Sequence, residues 1–452
     1  MSAPIIPTAR GKLPLLGHAL PLLRKPVAFL NSLPAQGDLV RVKIGPVDAV
    51  MVCDAELANE VFRDDRTYDK GGVFVDRARE VVHDNLSTCP HSMHRRQRRL
   101  LQPAFHNARM PAYAEVMATQ IERALAGWRD GQVLDVPREM SVLTVNVLNA
   151  TMFSDTLSER AVRESYDDAE VLVSGILKRM VMPETIARLP LFGNRAFHQA
   201  AARLRRTVSE LIEQRRVTGA DHGDLLSALF LARDPENPEE GLTADEIVDQ
   251  VLTFHLAGSE TTAMALSWAL HLVAAHPEVE RRLHAEVDTV LNGRTASHAD
   301  LPRLDLTARV ITESLRVWTP GWLFTRLVST DTELGGHQLA AGTTVAYSPY
   351  LIHHRPDLYP DPERFDPDRW DTSTGTTPPR TAFIPFAAGA RKCIGDKFSL
   401  TEATLALATI AGRWRLEHAS ARQVRPALSF VLRPHKLRMR AIRRQAGERA
   451  VS

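Results

Sequence analysis

The chain has 452 residues with 56 basic and 54 acidic side chains. The formal net charge of +2 gives no strong field that would favour nucleic acid as a partner. Hydrophobic residues make up 44% and charged residues 24% of the chain, which excludes a largely disordered protein and allows a large buried core.

The N-terminal part predicts a small sheet followed by a long loop. The first ten residues lack the apolar run of a signal peptide or membrane anchor, so we expect a cytoplasmic protein. The alternating pattern from Leu39 to Cys53 predicts two strands that turn at Gly45-Pro46. Asp54 can cap a short helix. Lys70 to Pro90 shows no sustained period and predicts a loop that could form one wall of a pocket.

A dense basic cluster follows between His91 and Leu101. His94 and Arg98 stand four residues apart and would share one face of a helix. The outward face would then hold Arg95, Arg96 and Arg99. From charge alone, the cluster is typical of a solvated basic face or a nucleic-acid patch. Cations on one face can also bind a pair of carboxylates, as arginine does with two hydrogen bonds.

Thr243 to Ala275 predicts one long helix. Thr243 and Glu246 form a capping box, and the apolar residues then recur at helical spacing. At 1.5 Å per residue the helix would be about 50 Å long, enough to cross the molecule. Its middle, Ala257-Gly258-Ser259-Glu260-Thr261-Thr262, is small and polar. Glycine there lowers the stability of the helix by about 1 kcal/mol relative to alanine. A buried acid lowers stability further and is expected only where it has a function. We therefore predict a functional groove, with a kink between packed helices as the alternative.

The next predicted helix, near Leu306 to Trp318, contains Glu313 and Arg316 at a spacing that permits an ion pair. An exposed pair of this kind is worth about 0.3 kcal/mol and says little alone. Alternating segments then begin at Arg326, and Pro362-Glu363-Arg364-Phe365 follows further along the chain.

Phe383 to Leu400 holds the most informative cysteine of the three. Cys393 lies between a loop of small residues and a helical pattern, so its sulfur should lie at a helix N-terminus, where a thiolate is favoured. Gly389 and Gly395 flank the sulfur and would let the backbone approach a flat partner. No base stands near the cysteine in the sequence, so a soft metal suits the site better than nucleophilic chemistry. An inert buried thiol is the alternative.

The pattern Phe386, Gly389, Arg391, Cys393 and Gly395 resembles the haem-binding signature of the cytochrome P-450 monooxygenases. In that family a cysteine thiolate holds the haem iron. The resemblance implies haem b as the cofactor and Cys393 as the axial ligand to the iron. It extends over most of the chain, with the earlier motifs in the expected order.

The same resemblance implies roles for those motifs. Glu260 and Thr261 would relay protons to dioxygen. The haem propionates would be bound by His94, Arg98, Arg326 and Arg391. A buried network that holds the cysteine loop would consist of Glu313, Arg316 and Arg364. The substrate pocket would be lined by Phe74, Phe254, Ala257, Trp322, Leu323, Phe324 and Phe430.

The implied fold is mostly α-helical with small β-sheets, an α+β class with a long central helix across the haem. No repeat or linker is visible, so we expect residues 1–452 to form a single domain with a β-rich N-terminal lobe and a larger helical lobe. No flavin or nicotinamide module is apparent, so electrons would come to a monomeric enzyme from a ferredoxin and its reductase. The docking face would include Arg95, Arg96, Arg99, Lys392 and Lys397.

The pocket candidates offer no charged anchor, which favours an apolar substrate. Overall, the sequence is similar to actinobacterial members that oxidise terpenoids in antibiotic biosynthesis, most of all the pentalenene oxygenases. Those oxidise a methyl group of a tricyclic sesquiterpene through the alcohol to the aldehyde. A fatty-acid hydroxylase or peroxygenase and a non-catalytic haem sensor stay open. We expect no second, terpene-cyclase site, because Asp64-Asp65-Arg66-Thr67-Tyr68-Asp69 sets its third aspartate one residue too late.

Overall fold

The computed structural model describes residues 5–14, 16–44, 47–154, 159–180, 182, 186, 189, 191, 193–219, 221–374 and 377–444. The α-helices, in chain order, are α1 (Ala19–Arg24), α2 (Pro26–Asn31), α3 (Ala55–Arg63), α4 (Gly72–Val82), α5 (His91–Leu101), α6 (Met110–Ala126), α7 (Val136–Phe153), α8 (Glu159–Met180), α9 (Asn194–Thr218), α10 (Leu225–Leu231), α11 (Ala244–Ala275), α12 (Pro277–Leu291), α13 (Asp305–Val317), α14 (Pro349–His353) and α15 (Asp396–Arg413).

The β-strands are shorter. They are β1 (Leu39–Ile44), β2 (Val47–Val52), β3 (Tyr68–Asp69), β4 (Val133–Asp135), β5 (Phe324–Val328), β6 (Thr332–Leu334), β7 (His337–Leu339), β8 (Thr344–Tyr347), β9 (Trp414–His418), β10 (Arg425–Leu428), β11 (Leu432–His435) and β12 (Arg438–Arg443). The predicted class, mostly α-helical with small sheets, is confirmed.

The largest sheet has the order β1-β2-β8-β5-β3. Strands β1 and β2 pair antiparallel with Leu39 opposite Val52, which confirms the predicted strand pair, while its turn at Gly45-Pro46 lies outside the described residues. Strand β8 then joins β2 in parallel. The β-rich lobe therefore combines the N-terminal strands with strands from residues 324–347.

Helix α11 confirms the predicted long helix. The Thr243 side chain accepts from the N–H of Glu246, and the Glu246 side chain accepts from the N–H of Thr243, so both halves of the capping box are present. Its 32 residues correspond to a length of about 48 Å. The helix packs against α7, α9, α13 and α15. It thus forms the axis of the helical core.

The stretch from Lys70 to Pro90 is not a continuous loop, so that prediction is wrong. Residues Gly72–Val82 form α4. Charged neighbours stabilise this helix in place of a long apolar period. Arg77 pairs with Glu80 and Arg79 pairs with Asp76, each at a spacing of three residues.

Among the described helices, none combines the length and apolarity that crossing a bilayer requires. The three cysteines are all free thiols: Cys53 and Cys89 are buried, and Cys393 is exposed.

Candidate active site

The Cys393 loop folds back on itself before α15. The N–H of Cys393 donates to the carbonyl of Phe386 at 2.9 Å, and the N–H of Lys392 donates to the carbonyl of Gly389 at 3.2 Å. Gly395 is the N-cap of α15, and its N–H donates towards the Cys393 sulfur. The sulfur therefore lies at a helix N-terminus, as the sequence predicted.

The protein alone does not favour the thiolate, contrary to our expectation. Burial raises the pKa of the Cys393 thiol, and Asp396 raises it further, while the Gly395 N–H, Arg98 and Lys392 lower it. Burial is the largest cause, although Cys393 as a residue keeps exposed surface. This combination is expected of a residue that lines an internal space. A bound metal cation would reverse the balance and hold the sulfur ionised.

Gly389 is required for close packing against α3. Its φ is +67°, and a Cβ there would lie 2.1 Å from the carbonyl oxygen of Phe62 at the end of α3. Only a residue without a side chain fits so close to another backbone. Gly395 is different, because a Cβ would meet just one atom, of Phe105, at 4.0 Å.

The middle of α11 opens towards the same region. Ala257 is exposed although it lies at the centre of a long helix whose neighbours are mostly buried. The Thr261 hydroxyl donates to the carbonyl of Ala257 at 2.8 Å. Next to it, the Thr262 and Ser399 hydroxyls hydrogen-bond at 2.9 Å. This contact joins the centre of α11 to the first turn of α15, so the groove and the cysteine loop are adjacent.

Glu260 carries the acid of this groove. Burial raises the pKa of Glu260 to about 7, with a lowering contribution from Arg433 and a raising contribution from Glu170. A carboxyl group with this pKa is close to half-protonated at neutral pH, so it can both give and accept a proton.

Two basic residues near the cysteine loop, one buried and one partly exposed, form no ion pair in the described part of the chain. Arg326 is 2% exposed, donates to the carbonyl of Thr325 and lies over the ring of Tyr347. Lys70 was not predicted. Burial and then the nearby charges of Arg326 and Arg391 hold the pKa of Lys70 well below its usual range. No sequence signal marks Lys70, since it is an isolated lysine in an irregular stretch.

Helix α5 turns His94 and Arg98 towards the cysteine loop, which confirms that they share a face. Arg98 donates to the carbonyl of Lys392 at 2.6 Å. His94 is buried, and burial together with the charges of Arg391, Arg98 and Lys70 lowers its pKa to about 3. His94 is therefore neutral and can donate one ring N–H to an anion.

Arg391 makes contacts that the sequence did not predict. It donates to Asp65 at 3.0 Å, to Asp69 at 2.9 Å and to the carbonyl of Cys89 at 2.8 Å. Through these contacts it fixes the cysteine loop to the segment before α5, and its contact with a propionate stays a prediction. These contacts also give Asp65 and Asp69, two aspartates of the segment Asp64 to Asp69, a structural role.

Comparison with known proteins agrees with this geometry. The model of the family described as Cytochrome P450 matches residues 7–440. The chain belongs to the cytochrome P450 family. P450 enzymes hold haem iron through a cysteine thiolate, so the protein is a haem-thiolate monooxygenase, an oxidoreductase.

Individual relatives span nearly the whole chain. The sequence is 48% identical over 410 residues to cyclooctat-9-en-7-ol 5-monooxygenase of Streptomyces melanosporofaciens, covering 90% of this chain and 89% of that protein. It is 42% identical over 442 residues to pentalenene oxygenase of Streptomyces avermitilis, covering 98% of each. The crystal structure of the cytochrome P450DA heme domain matches with a TM-score of 0.89, at 27% identity and 99% coverage of both chains.

The residues present fit the haem of the P450 family. Cys393 is an exposed residue whose thiol is nevertheless desolvated, as expected of an iron ligand beside an internal space. Arg326 is a cation without a carboxylate partner among the described residues, and Lys70 would become one when an anion lies beside it, so both suit the two propionates. If these residues hold the haem, Cys393 would supply the thiolate ligand, and Arg326, Lys70, His94 and Arg98 would contact the propionates.

The Glu313–Arg316 pair is fully buried, with both side chains 0% exposed. Arg316 binds both carboxylate oxygens, at 2.9 and 2.8 Å. Its remaining donors reach the carbonyls of His353, Pro362 and Arg364. His353 in turn accepts from the N–H of Ile384 at 3.0 Å. This chain of contacts connects α13 to the segment that leads into the cysteine loop.

The third member of the network is Arg369, not Arg364. The side chain of Arg364 is 68% exposed and lies 3.8 Å from Asp366, so only its backbone carbonyl takes part. Arg369 Nε lies 3.4 Å from Glu313 Oε1, and the indole N–H of Trp370 donates to Glu313 at 2.8 Å. Pro367-Asp368-Arg369-Trp370 repeats the pattern of Pro362-Glu363-Arg364-Phe365, which is a signal that could have identified it.

The predicted pocket residues divide into two groups. Phe74 and Phe430 stack with ring centroids 5.6 Å apart, and both remain partly exposed. With the exposed Ala257, they can face an apolar substrate. Leu323 and Phe324 are also partly exposed, and Phe324 stacks on Tyr347.

Trp322 and Phe254 do not line the pocket as predicted. The Trp322 indole N–H donates to the carbonyl of Ser429 at 3.1 Å, and the residue is 6% exposed within the core beneath the large sheet. Phe254 is 8% exposed and packs edge-on against Phe105. Both rings bury their apolar surface in core contacts.

The outward arginines of α5 are not free to meet an acidic partner. Arg95 pairs with Glu236 at 2.9 Å, Arg99 with Asp234 at 2.7 Å, and Arg96 with Glu246 at 2.7 Å. The acidic segment before α11 therefore neutralises this face of α5, which the local sequence could not reveal.

Proposed function

We propose that this P450 inserts one oxygen atom of dioxygen into a C–H bond of an apolar terpenoid, with electrons from a reduced ferredoxin. The observation that carries the proposal is the groove of α11. It places a carboxyl group with a pKa of about 7 and a threonine hydroxyl beside the cysteine loop. We further propose that the matched region works as one catalytic domain in a cytoplasmic monomer.

The haem, when bound, supplies the activation of dioxygen, and the protein supplies protons and position. Glu260 can take a proton from water and pass it on, because its pKa lies near neutrality. Thr261 donates to the Ala257 carbonyl, so its oxygen lone pairs are left to accept a hydrogen bond within the groove. Cys393 would hold the haem iron and supply electron density to it.

Substitution of Glu260 by glutamine tests the proton relay. We expect substrate turnover to fall by about 10²-fold, the lower range for loss of a general acid–base group. The carboxyl is protonated below and ionised above a pH of about 7. The pH profile of the wild-type rate should therefore bend near that pH, and the bend should vanish in Glu260→Gln. An unchanged profile would contradict the assignment.

Stability provides the control for this variant. The folded-state pKa of Glu260, about 7, exceeds the ordinary value of 4.5, so the folded protein holds this proton more tightly than the unfolded chain. Ionisation of Glu260 therefore lowers the free energy of unfolding as the pH rises from about 4.5 to about 7. Glu260→Gln should melt at a higher temperature than wild type at pH 8, so lost turnover cannot reflect lost folding.

The substrate proposal rests on the apolar pocket residues and on the relatives. A sesquiterpene like pentalenene, oxidised from methyl to alcohol to aldehyde, is the first candidate. The 48% identical relative favours a second candidate, an unsaturated alcohol such as cyclooctat-9-en-7-ol. A spectral titration of the purified enzyme with both compounds and with fatty acids tests these proposals. A response to fatty acids alone would refute the terpenoid proposal, and turnover with peroxide but not ferredoxin would favour a peroxygenase.

The electron donor is proposed to dock where unpaired cations surround the cysteine loop. Lys397 is exposed and contacts the neutral Asn107. Arg63 is exposed at the end of α3, next to Phe62, whose carbonyl contacts Gly389, and it has no ion-pair partner among the described residues. Lys392 is exposed but pairs with Asp396. This face keeps Lys392 and Lys397 of the predicted docking face and adds Arg63, whereas the predicted arginines of α5 are paired within the chain.

Charge reversal at Lys397 should raise the apparent KM for ferredoxin about tenfold at low salt, because it removes one steering charge and adds a repulsive one. Peroxide-driven turnover should not change. Arg95→Glu is the comparison variant, since Arg95 is already paired with Glu236 and should matter less. Equal loss of ferredoxin-driven and peroxide-driven turnover in Lys397→Glu would contradict docking at this face.

A further inference from the structure

A charged clasp holds α4 to α8. Glu80 on α4 accepts hydrogen bonds from Arg179 on α8, at 2.5 Å from Nη2 and 3.1 Å from Nε. Arg77 donates to the other oxygen of Glu80 at 2.5 Å, and also to the carbonyl of Met182 at 3.3 Å. Hydrogen bonds between charged groups are about twice as strong as neutral ones. One carboxylate thus joins two arginines on two helices.

The clasp continues into α9. Arg179 is 3% exposed, donates to the Asn194 side chain at 2.9 Å and stacks over the ring of Phe197 at 4.7 Å. The Asn194 amide donates in turn to the carbonyls of Ile186 and Leu189. Arg179 therefore contacts the start of α9 from the end of α8, and Glu80 attaches α4 to the same arginine.

The two ends of α4 have unusual backbone geometry. Gly72 has a φ of +80°, and the preceding Gly71 is fully extended. His83, just after the helix, has a φ of +50° and a ψ of −149°, a region that residues with a side chain rarely adopt. The helix is thus joined to the chain by two short segments that can absorb a rotation.

Phe74, near the start of α4, and Phe430 are both predicted pocket residues, and we call their stacked pair the substrate roof. Phe74 stacks on Phe430, which lies in the turn between β10 and β11, with an interplanar angle of 13°. This aromatic contact is offset from the clasp by nearly two helical turns. A loss of the clasp would therefore leave Phe74 as the main anchor of α4 over the pocket.

We propose that Glu80 and Arg179 are positioning residues that keep the substrate roof closed, by holding α4 so that Phe74 remains stacked on Phe430. The proposal rests on the proposed function, in which an apolar substrate lies beneath this roof. Bound substrate then leaves only when the clasp and the aromatic contact open together. Water is excluded from the pocket by the same closure.

Amide hydrogen exchange of the holoenzyme provides the first test, using Glu80→Gln. Glutamine keeps the size of the side chain and removes the charge that binds both arginines. Exchange in residues 72–82 should become about tenfold faster, because each factor of ten corresponds to about 1.4 kcal/mol of local opening. Exchange in α6 and α7 should not change. Faster exchange throughout the chain, or an unchanged exchange rate in α4, would overturn the proposal.

Binding kinetics provide the second test, with 4-phenylimidazole and imidazole as probes followed by absorbance. In Glu80→Gln, association and dissociation of 4-phenylimidazole should both accelerate about tenfold, while the smaller imidazole changes less than twofold. The matched control is Glu213→Gln, which removes a carboxylate that pairs with Arg216 at the exposed surface. Equally faster binding kinetics for both probes, or unchanged kinetics for both, would overturn the proposal.

Arg179→Lys keeps the charge but cannot contact Glu80 and Asn194 together, so it should reproduce the effect of Glu80→Gln on both probes. If this buried substitution prevents folding, the Glu80→Gln result decides alone. These probes need no natural substrate. A failure of the terpenoid proposal in the spectral titration would therefore leave this test intact, and the two failures can be told apart.

Discussion

Substitution of Cys393 by serine is expected to abolish the long-wavelength absorption of the reduced carbon monoxide complex and to reduce oxygenase turnover to background. The reason is the ligand itself, because a thiolate donates the electron density on which O–O cleavage depends. A serine hydroxyl is far less acidic and cannot supply a comparable anion. The measurement is the absorbance difference between the reduced variant with and without carbon monoxide, with haem content determined in parallel.

Cys53→Ala is the matched control for this experiment. Cys53 is buried and lies just after β2 in the core beneath the large sheet, so its loss should leave the spectrum unchanged. Cys393→Ser should still fold, because the loop is fixed by Arg391 and by backbone hydrogen bonds that the sulfur does not make. A Cys393→Ser protein that kept the long-wavelength absorption would contradict the assignment of the axial ligand.

Arg369→Gln should destabilise the enzyme, whereas Arg364→Gln should not. Arg369 is a charge near the fully buried Glu313, and loss of a buried charged partner costs about 1–3 kcal/mol. Arg364 is 68% exposed, so its substitution should change the free energy of unfolding by less than about 0.5 kcal/mol. Thermal unfolding of the two holoenzymes, measured with their haem content, distinguishes the residues.

Glu313→Gln should cause the largest loss of stability among these variants. It leaves Arg316 as a buried charge without its carboxylate, at a cost of about 3–5 kcal/mol. Through His353 and Ile384, the damage should reach the cysteine loop, so haem should be lost before the helices unfold. If Arg364→Gln proved the more damaging arginine variant, the assignment of Arg369 would be wrong.

The sequence determined the features that depend on local spacing. Cys393 was recognisable because glycines, an arginine and a helix start stand at fixed offsets from it. Helix α11 was recognisable because its cap, its apolar period and its polar centre are all local in the chain. The pairing of Glu313 with Arg316 follows from helical spacing, although their complete burial does not.

The tertiary structure decided which charges meet. Arg364 and Arg369 stand in the same local pattern, and only the path of the chain brings Arg369 to Glu313. Arg391 lies more than 320 residues from Asp65 and Asp69 in sequence, and Lys70 faces the site without any motif. Electrostatic partners depend on distances in space, which the packing of distant segments sets. Spacing along the chain therefore predicted the ligand and the relay, while packing selected the ion pairs around them.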